Sequence, residues 1–280
     1  MANPLEIGGT HEQRESWSRL LLARATEETN LWDDFSTDYE QDEVSGIIHV
    51  PTRNREVVFT EYDILNGIDL TQSQTEYIPL IPDKHYAANE LIDGYEAEAV
   101  PDNLAAARLS DAGETLGLMQ EGWAIETMLA GGTVSTDTSA ITEENAYNII
   151  AAEISTMKKR HFKASQMRCV VDAHTELMLL TNEKFIKSGS TLSERYIQEG
   201  VIGKINGVPV KCNYLMGDGV GFMIYDRRFL QKYVVWKRMP FITDIKDGRH
   251  VVASALQARI VAGATITNAL GVQIRKYDTV

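Results

Sequence analysis

Two cysteines and six histidines are the side chains of this 280-residue chain with the chemistry for nucleophilic catalysis or transition-metal binding. Cys169 could act as a nucleophile with His161 or His174 as its base, because a thiol needs a nearby base to become a thiolate. No local catalytic signature supports this pairing, and Cys169 and Cys212 both lie in apolar, strand-like runs. The sequence therefore favours buried structural thiols, and we predict no catalytic residue.

The remaining polar motifs lack the spacing of a metal or nucleotide site. The histidines are scattered, and none has ligand spacing such as HExxH. The acidic pairs Asp33-Asp34 and Glu143-Glu144 are adjacent in sequence, so on a helix their side chains point to different faces. We interpret them as helix-dipole and surface charge and not as a catalytic pair. The glycine-rich run 217–221 matches neither a P-loop nor a dinucleotide pattern and is predicted to be a turn. No metal site and no cofactor is predicted.

One basic run, residues 158–163 with the sequence KKRHFK, contains residue types that contact phosphates. It also lies at the predicted carboxyl end of a helix, where positive side chains offset the helix dipole. The sequence leaves both interpretations open and favours the solvated helix end.

A long helix over residues 101–130 is the element around which the other segments must be arranged. Pro101 suits the first helical turn, and Gly131-Gly132 ends the pattern. The apolar residues of one stripe recur at steps of four and three; they are Ala105, Leu109, Ala112, Leu116, Met119 and Trp123. Three glycines (Gly113, Gly117 and Gly122) each cost the helix about 1 kcal/mol relative to alanine. We therefore expect close packing at the glycines or a bend.

Charge is unevenly distributed along the chain. The formal net charge is −13, which excludes general affinity for nucleic acid over the whole surface. Residues 1–43 contain eleven acidic and three basic residues, whereas residues 204–246 contain eight basic and three acidic ones. This asymmetry suggests contact between unlike parts of neighbouring copies; two unrelated solvated faces are the alternative. The two distant cysteines do not make a disulfide framework, no signal peptide is visible, and folding in a reducing cytoplasm is expected.

The first third of the chain is predicted to be an arm followed by a thin β ribbon. Residues 15–29 form an amphipathic helix whose apolar side includes Leu21 and Leu31, and such a helix must dock on something. Residues 46–50, 56–62 and 75–82 are strand-like, with a turn at Asn66-Gly67. A ribbon of this kind is marginal alone in water. Support from another chain is expected, and a hairpin folded back on its own domain is the alternative.

Alternating helices and strands follow the polar loop 133–140. Thr142 is predicted to cap a helix that ends near Arg160, and Asp172 to cap the next one. A strand is predicted over 167–171, a hairpin over 201–212 around Asn206-Gly207, and a further strand over 220–225. The run 251–275 is predicted to be one long strand; a helix is the alternative because alanine is abundant.

Several stretches resemble the major capsid protein of tailed bacteriophages, which has the Hong Kong 97-type fold. They are residues 200–210 (GVIGKINGVPV), 221–226 (GFMIYD), 251–272 with Arg259, and 84–103. The resemblance implies an α+β fold with an N-terminal arm over 1–43 and an extended β loop over 44–97. It also implies a peripheral domain with a long spine helix over 98–140 and 237–280, and an α/β axial domain over 141–236.

The function that this resemblance implies is structural. Hexamers and pentamers of the chain would build an icosahedral phage head that encloses double-stranded DNA, assembled in the host cytoplasm and present in the virion. The implied partners are further copies of the chain, a separate scaffolding protein, a portal protein, a possible decoration protein and, weakly, the packaged DNA; no membrane is involved. The alternatives are an encapsulin-like compartment shell and a cytosolic α/β hydrolase or transferase with a pocket near Cys169.

In two respects the sequence departs from some members of this family. The arm starts almost at once, so a separate scaffolding protein is expected rather than a long removable segment. Residues 44–83 contain no lysine, only Arg53 and Arg55, so self-made isopeptide cross-links from the extended loop are not expected.

Overall fold

The computed structural model describes Leu21, Ala23 and residues 31–37, 46–53, 75–93, 104–182, 184–185, 201–217, 219–245 and 253–277. The predicted strand 56–62, the turn at Asn66-Gly67 and most of the predicted helix 15–29 lie outside these residues. Leu21 is helical, and it is buried in a cluster with Leu109 of the long helix and Leu256 of the sheet beneath it.

The long helix, α1, runs from Leu104 to Gly131, in agreement with the sequence prediction. Leu109 and Trp123 of the predicted stripe are buried, and Ala112, Leu116 and Met119 are partly buried. Gly132 then donates its N–H to the Met128 carbonyl at 2.8 Å, and its Cα lies so close to Ile274 that a Cβ would clash. Two of the helix glycines, Gly113 and Gly117, are buried, whereas Gly122 is exposed.

A three-stranded antiparallel sheet lies against α1. Its strands are β3 (Lys84–Asp93), β9 (Leu230–Asp244) and β10 (Ala253–Ile266), in the order β3-β10-β9. In the register, Ile260 of β10 lies between Tyr86 of β3 and Trp236 of β9. Leu256, Ile260 and Ala262 of β10 are all buried.

The single strand predicted over 251–275 is wrong, because the chain leaves the first sheet after Ile266. A 3-10 turn, Ala269–Gly271, separates β10 from β11 (Val272–Lys276), which joins a second sheet. The Asn268 side chain accepts the Leu270 N–H at 3.0 Å and fixes this turn. The turn formed by Asn268 therefore ends the strand, although the apolar and polar residues on both sides of it alternate as in one continuous strand.

The second sheet combines β11 with five further strands. These are β4 (Thr133–Val134), β5 (Met167–Val171), β6 (Val201–Ile205), β7 (Val208–Cys212) and β8 (Val220–Asp226). Their order in the sheet is β4-β11-β8-β5-β7-β6. The predicted hairpin is confirmed: Asn206 and Gly207 have φ angles of 51° and 84°, as a tight two-residue turn requires.

Two helices accompany this sheet, α2 (Ala146–Lys159) and α3 (Ala173–Thr181), and a buried cluster that includes Ile150 and Phe222 joins them to it. The predicted Asp172 cap is confirmed, because its carboxylate accepts the Thr175 N–H at 2.8 Å. The predicted Thr142 cap is wrong. Asn145 accepts the Thr142 N–H at 2.8 Å, which makes a turn before the helix, and α2 starts only at Ala146.

A two-stranded antiparallel ribbon is formed by β1 (Ile48–Arg53) and β2 (Thr75–Leu80). Its root packs on the body of the same chain, since Val50 and Leu80 are buried against Tyr233 of β9. The root of the ribbon therefore contacts its own chain, whereas Tyr77 on β2 is exposed; support of the ribbon by another chain stays a prediction.

Candidate functional site

The cysteines are not arranged as nucleophiles. Cys169 is fully buried in β5, between the partners Val210 and Ile224, and burial raises the pKa of its thiol above the ordinary range. Burial and the Glu176 carboxylate raise the pKa of the half-buried Cys212 to about 12. Neither thiol forms a thiolate near neutral pH. The interpretation as structural thiols is thus supported for both cysteines.

His174 and the glycine-rich run 217–221, which were also considered as functional residues, make contacts that support the fold. The His174 ring stacks on Tyr277, 5.5 Å between centroids, and Tyr277 in turn donates its hydroxyl to Asp172. The glycine-rich run 217–221 contains a turn, with Gly219 at a φ of 83° and the Val220 N–H bonded to the Gly217 carbonyl. Within the described residues, no group of three or more His, Cys, Asp or Glu side chains is gathered in a way that suits a metal ion.

One short piece of the predicted arm, residues 31–37, is packed into the body of the chain; we call it the anchor segment. Leu31, Trp32 and Phe35 are each 3% exposed or less. The Trp32 ring stacks on Phe35 at 5.6 Å and meets Trp123 of α1 edge-on at 5.9 Å. Trp123 also stacks on Tyr86 of β3 at 5.1 Å. The anchor segment thus adds two aromatic rings to the contact between α1 and the three-stranded sheet.

A buried carboxylate in α1 fixes the backbone of the anchor segment. Glu121 is 2% exposed and accepts the backbone N–H groups of Leu31 at 2.7 Å and Trp32 at 3.2 Å. It also accepts the side-chain amide of Asn213, which follows β7, at 2.6 Å. Burial of a carboxylate is unfavourable without hydrogen bonds, and these three donors offset the cost. Glu121 therefore connects α1, the anchor segment and the second sheet.

A second buried carboxylate, Asp34 of the anchor segment, binds the end of β8. It accepts the Tyr225 hydroxyl at 2.6 Å and pairs with the Arg227 guanidinium at 2.9 Å. Burial, and then the negative charge of Asp34, raise the pKa of Tyr225 well above its ordinary value. The phenol therefore remains a protonated donor over the whole physiological pH range.

The amino end of β9 also contacts the anchor segment. Lys232 donates from Nζ to the Trp32 carbonyl at 2.7 Å and lies 3.8 Å from the Asp33 carboxylate. Ser36 exchanges backbone hydrogen bonds with Leu230 and Lys232. The acidic arm and the basic segment 204–246 therefore meet within one chain at these residues. Contact between the arm and the basic segment of neighbouring copies stays a prediction, since the contacts described here involve residues 31–37 of the arm only.

Arg275 of β11 fixes the loop between β4 and α2. Its guanidinium is 1% exposed, pairs with Asp137 at 3.0 Å, and donates to the hydroxyl of Ser139 at 2.9 Å. The hydrogen bond from Arg275, and next the Ser139 backbone, lower the pKa of the exposed Asp137 carboxyl to about 2. The polar loop that the sequence marked as a boundary is thus held by a buried cation.

Exposed apolar side chains gather on two parts of the surface. The ribbon surface consists of Ile47, Tyr77 and Ile81, and the loop surface of Leu177, Leu180, Tyr214 and Leu215. Tyr214 lies next to α3, since its hydroxyl contacts the Glu176 carboxylate at 3.3 Å. Large apolar side chains left exposed on neighbouring elements are candidates for contact with another molecule.

The described residues line three cavities. Their volumes are about 330, 510 and 290 Å³. The first lies beside Trp123 and Lys84, the second at the root of the ribbon beside Tyr233 and the third beside Leu116. Cys169 lines none of these three.

Two of three comparisons with known proteins found no match. No family model matches the chain, and no curated protein matches it in sequence.

In the described part of the chain, no helix has the length and apolar character that a membrane crossing requires.

Solved structures, in contrast, match over nearly the whole chain. A structure of Mycobacterium phage Che8 has a TM-score of 0.67 and 16% identity, covering 88% of this chain and 90% of its own. The capsid of cyanophage P-SCSP1u also has a TM-score of 0.67, at 10% identity, with 88% and 87% covered. The virus-like particle from Pyrococcus furiosus has a TM-score of 0.56 at 13% identity, with 94% and 98% covered.

The class that these matches define is the Hong Kong 97-type capsid fold. The predicted α+β fold class is therefore confirmed, and so is the resemblance to phage capsid proteins at the level of the fold. At this identity the likeness establishes the architecture, and the function is argued below.

Proposed function

We propose that this chain is the major capsid protein of a tailed bacteriophage. Its hexamers and pentamers would form an icosahedral head around double-stranded DNA, so that the protein belongs to the virion. The observation that carries the proposal is the shared fold over 88% of the chain with the capsid of cyanophage P-SCSP1u. The coverage of both chains is nearly complete, so the likeness is not confined to one common substructure.

The two exposed apolar surfaces support self-association. Tyr77 and Tyr214 are mostly exposed in the monomer. A second copy that covered them would stabilise the assembly by about 25 cal/mol for each Å² of apolar surface buried. The surfaces lie on different elements, the ribbon and the loop after β7. Two separate contacts of this kind suit a lattice in which each copy touches several neighbours.

The proposed organisation follows the ranges given by the resemblance. Residues 1–43 are the arm, 44–97 the extended loop, 98–140 and 237–280 the peripheral domain, and 141–236 the axial domain. The strand β9 runs across the 236/237 limit, and β11 pairs with β8 of the axial range. The two domains consequently share strands and would move as one unit.

Electron microscopy of the purified protein tests the proposal. We expect closed, uniform shells, and small closed oligomers would contradict it. Replacing Tyr214 and Leu215 by serine should reduce shell yield, because it removes apolar area from the loop surface. Leu270→Ser is the matched control, since Leu270 is exposed to a similar extent (51%, against 45% for Leu215) and lies outside both surfaces.

A cargo compartment of the encapsulin type is the second candidate. The match to the Pyrococcus furiosus virus-like particle supports it, because a shell is formed there as well. The contents of particles isolated from the native source separate the two candidates. Double-stranded DNA, together with genes for a scaffold and a portal protein nearby, supports the phage head; an enclosed protein supports the compartment.

A catalytic role is not proposed. The cytosolic enzyme alternative needs a reactive group, and burial raises the pKa of both thiols far above neutrality. The structural neighbours are shell proteins, which favours a structural role.

A further inference from the structure

One region of this acidic protein gathers several positive side chains that have no acidic partner among the described residues. The end of α2, the turn that follows it and the start of β5 contain five such residues, which we call the cationic patch: Lys158, Lys159, Arg160, Lys163 and Arg168. No aspartate or glutamate occurs between Glu153 and Asp172. All five side chains are exposed or half-exposed.

The cationic patch differs in its partners from the cations that hold the anchor segment and the loop after β4. Arg227, Lys232 and Arg275 all pair with aspartates. In the part of the chain that the structure describes, no carboxylate lies within ion-pair distance of any patch residue. Lys158 donates to the Asn206 carbonyl instead, and Arg168 to the carbonyls of Ser165 and Met167.

The helix dipole accounts for only part of this arrangement. Lys158 and Lys159 lie in the last turn of α2, where a positive charge is favourable. Lys163 and Arg168 lie beyond the helix, so the dipole gives no reason for their charge. The turn between them is compact, because the Gln166 N–H bonds to the Lys163 carbonyl at 3.0 Å.

The end of α2 also holds a residue in an unfavourable backbone conformation. Phe162 donates to the Met157 carbonyl and His161 to the Lys158 carbonyl, which is the Schellman pattern of helix termination. Glycine is the usual residue at the position of His161, whose φ is 65°. An imidazole is thus displayed in the middle of the cationic patch, at a place where glycine would cost less.

The chemistry of the cationic patch fits a polyanion better than a protein surface. Interfaces between proteins have an apolar core that is depleted of charge. None of the exposed large apolar side chains of the described residues lies within residues 154–171. Phosphate backbones, in contrast, are bound chiefly by exposed lysine and arginine.

We propose that the cationic patch binds the phosphate backbone of duplex DNA. The inference rests on the proposed function, in which the shell encloses DNA, and it assigns the contact to one face. The rest of the −13 chain repels DNA, so binding through this patch alone is weak, independent of sequence and sensitive to salt.

The test measures binding of a fluorescent 30-base-pair duplex to the unassembled full-length chain between 20 and 200 mM NaCl. The patch variant combines Lys159→Gln with Lys163→Gln, neither of which removes a hydrogen bond of the described structure. We expect the affinity at 50 mM salt to fall roughly 10- to 100-fold, and the slope of log K against log salt to fall by about 2. Lys159→Arg with Lys163→Arg should keep the affinity.

The matched control combines Lys237→Gln with Lys276→Gln, which changes the net charge equally on other elements. Equal losses in patch and control variants would overturn the proposal, because net charge alone would then explain binding. Failure of the patch variant alone to form shells would also overturn it and assign the patch to an acidic surface of a second copy. Shell formation by the wild type is scored separately, so failure of the patch leaves the proposed shell function standing.

Discussion

The carboxylate of Glu121 accepts a hydrogen bond from the side-chain amide of Asn213 at 2.6 Å, with both residues buried. The two residues are 92 positions apart and belong to different parts of the fold, α1 on one side and the loop after β7 on the other. Because Glu121 also binds the backbone of Leu31 and Trp32, its loss affects three parts of the fold together.

Glu121→Ala should destabilise the unassembled chain by at least about 2 kcal/mol, since it leaves buried donors without an acceptor. Equilibrium denaturation in urea measures the change. Glu126→Ala is the control: Glu126 also lies on α1 but is exposed and pairs with Lys84 at the surface, so its loss should cost about 0–1 kcal/mol. Equal effects of the two substitutions would show that Glu121 does not hold the anchor segment.

Because the pKa of Tyr225 is raised in the folded chain, the stability of the fold should depend on pH in the alkaline range. Its pKa is raised in the folded state, so its contribution is fully present below the unfolded pKa of about 10 and is lost as the pH rises towards the folded value. Wild-type stability should therefore fall above about pH 10. In Tyr225→Phe this part of the decline should be absent, at the cost of a lower stability at pH 7, because Asp34 loses a donor. Denaturation at pH 7, 9 and 11 provides the comparison, and identical pH profiles would refute the assignment.

Substitution of glycine by alanine should stabilise the chain at Gly122 and destabilise it at Gly263. A methyl group at Gly122 meets no other atom within 4 Å, so Gly122→Ala should stabilise the unassembled chain by about 0.5–1 kcal/mol through helix propensity. At Gly263 of β10 the added carbon would lie 2.5 Å from the Ile81 carbonyl oxygen, so Gly263→Ala should destabilise by about 1–3 kcal/mol. Thermal unfolding of both variants checks the pair, and the same sign for both would contradict the packing described.

The pKa of Asp137 reports on Arg275. It is lowered to about 2 by the Arg275 hydrogen bond, so the pair contributes to stability above the ordinary pKa near 3.8 and is lost as the pH falls towards 2. In Arg275→Gln, the carboxyl titration followed by NMR should return towards 3.8. Lys276→Gln removes a neighbouring positive charge and should leave the midpoint in place. A midpoint unchanged by Arg275→Gln would rule out this ion pair.

Denatured particles should run as single-chain bands on a gel. Residues 44–83 contain no lysine, so this segment supplies no side-chain amine for an isopeptide bond. A ladder of covalent multimers in the absence of added cross-linker would refute this expectation.

Local signals in the sequence predicted many elements correctly. Asp172 begins α3 as predicted, and Asn206-Gly207 forms the predicted hairpin turn. The apolar repeat predicted α1 to within a few residues at its described ends. Each of these depends on residues close together in the chain, whose spacing is visible in the sequence. The cap of α2 was predicted wrongly, and the break after Ile266 was not predicted, because the side chains of Asn145 and Asn268 form the turns at these two places.

The candidate site was harder to predict, because its contacts join residues that are far apart in the sequence. Glu121 carries no signal of its own, since a glutamate on a helix is normally a surface residue. Asp33-Asp34 was interpreted as surface charge, yet Asp34 is buried against Tyr225, 191 positions away. Only the folded chain shows that these carboxylates have donors.

The sequence by itself determined the order of the elements and, through several short motifs, their resemblance to a capsid fold, because helix and strand periods and turn residues act over a few positions. Tertiary structure alone decided that β11 joins the second sheet, that the anchor segment docks on its own chain, and which cations of the described residues remain without carboxylates. Those features depend on pairs of residues brought together from distant parts of the chain, and a buried carboxylate such as Glu121 is stable only once all of its donors are in place.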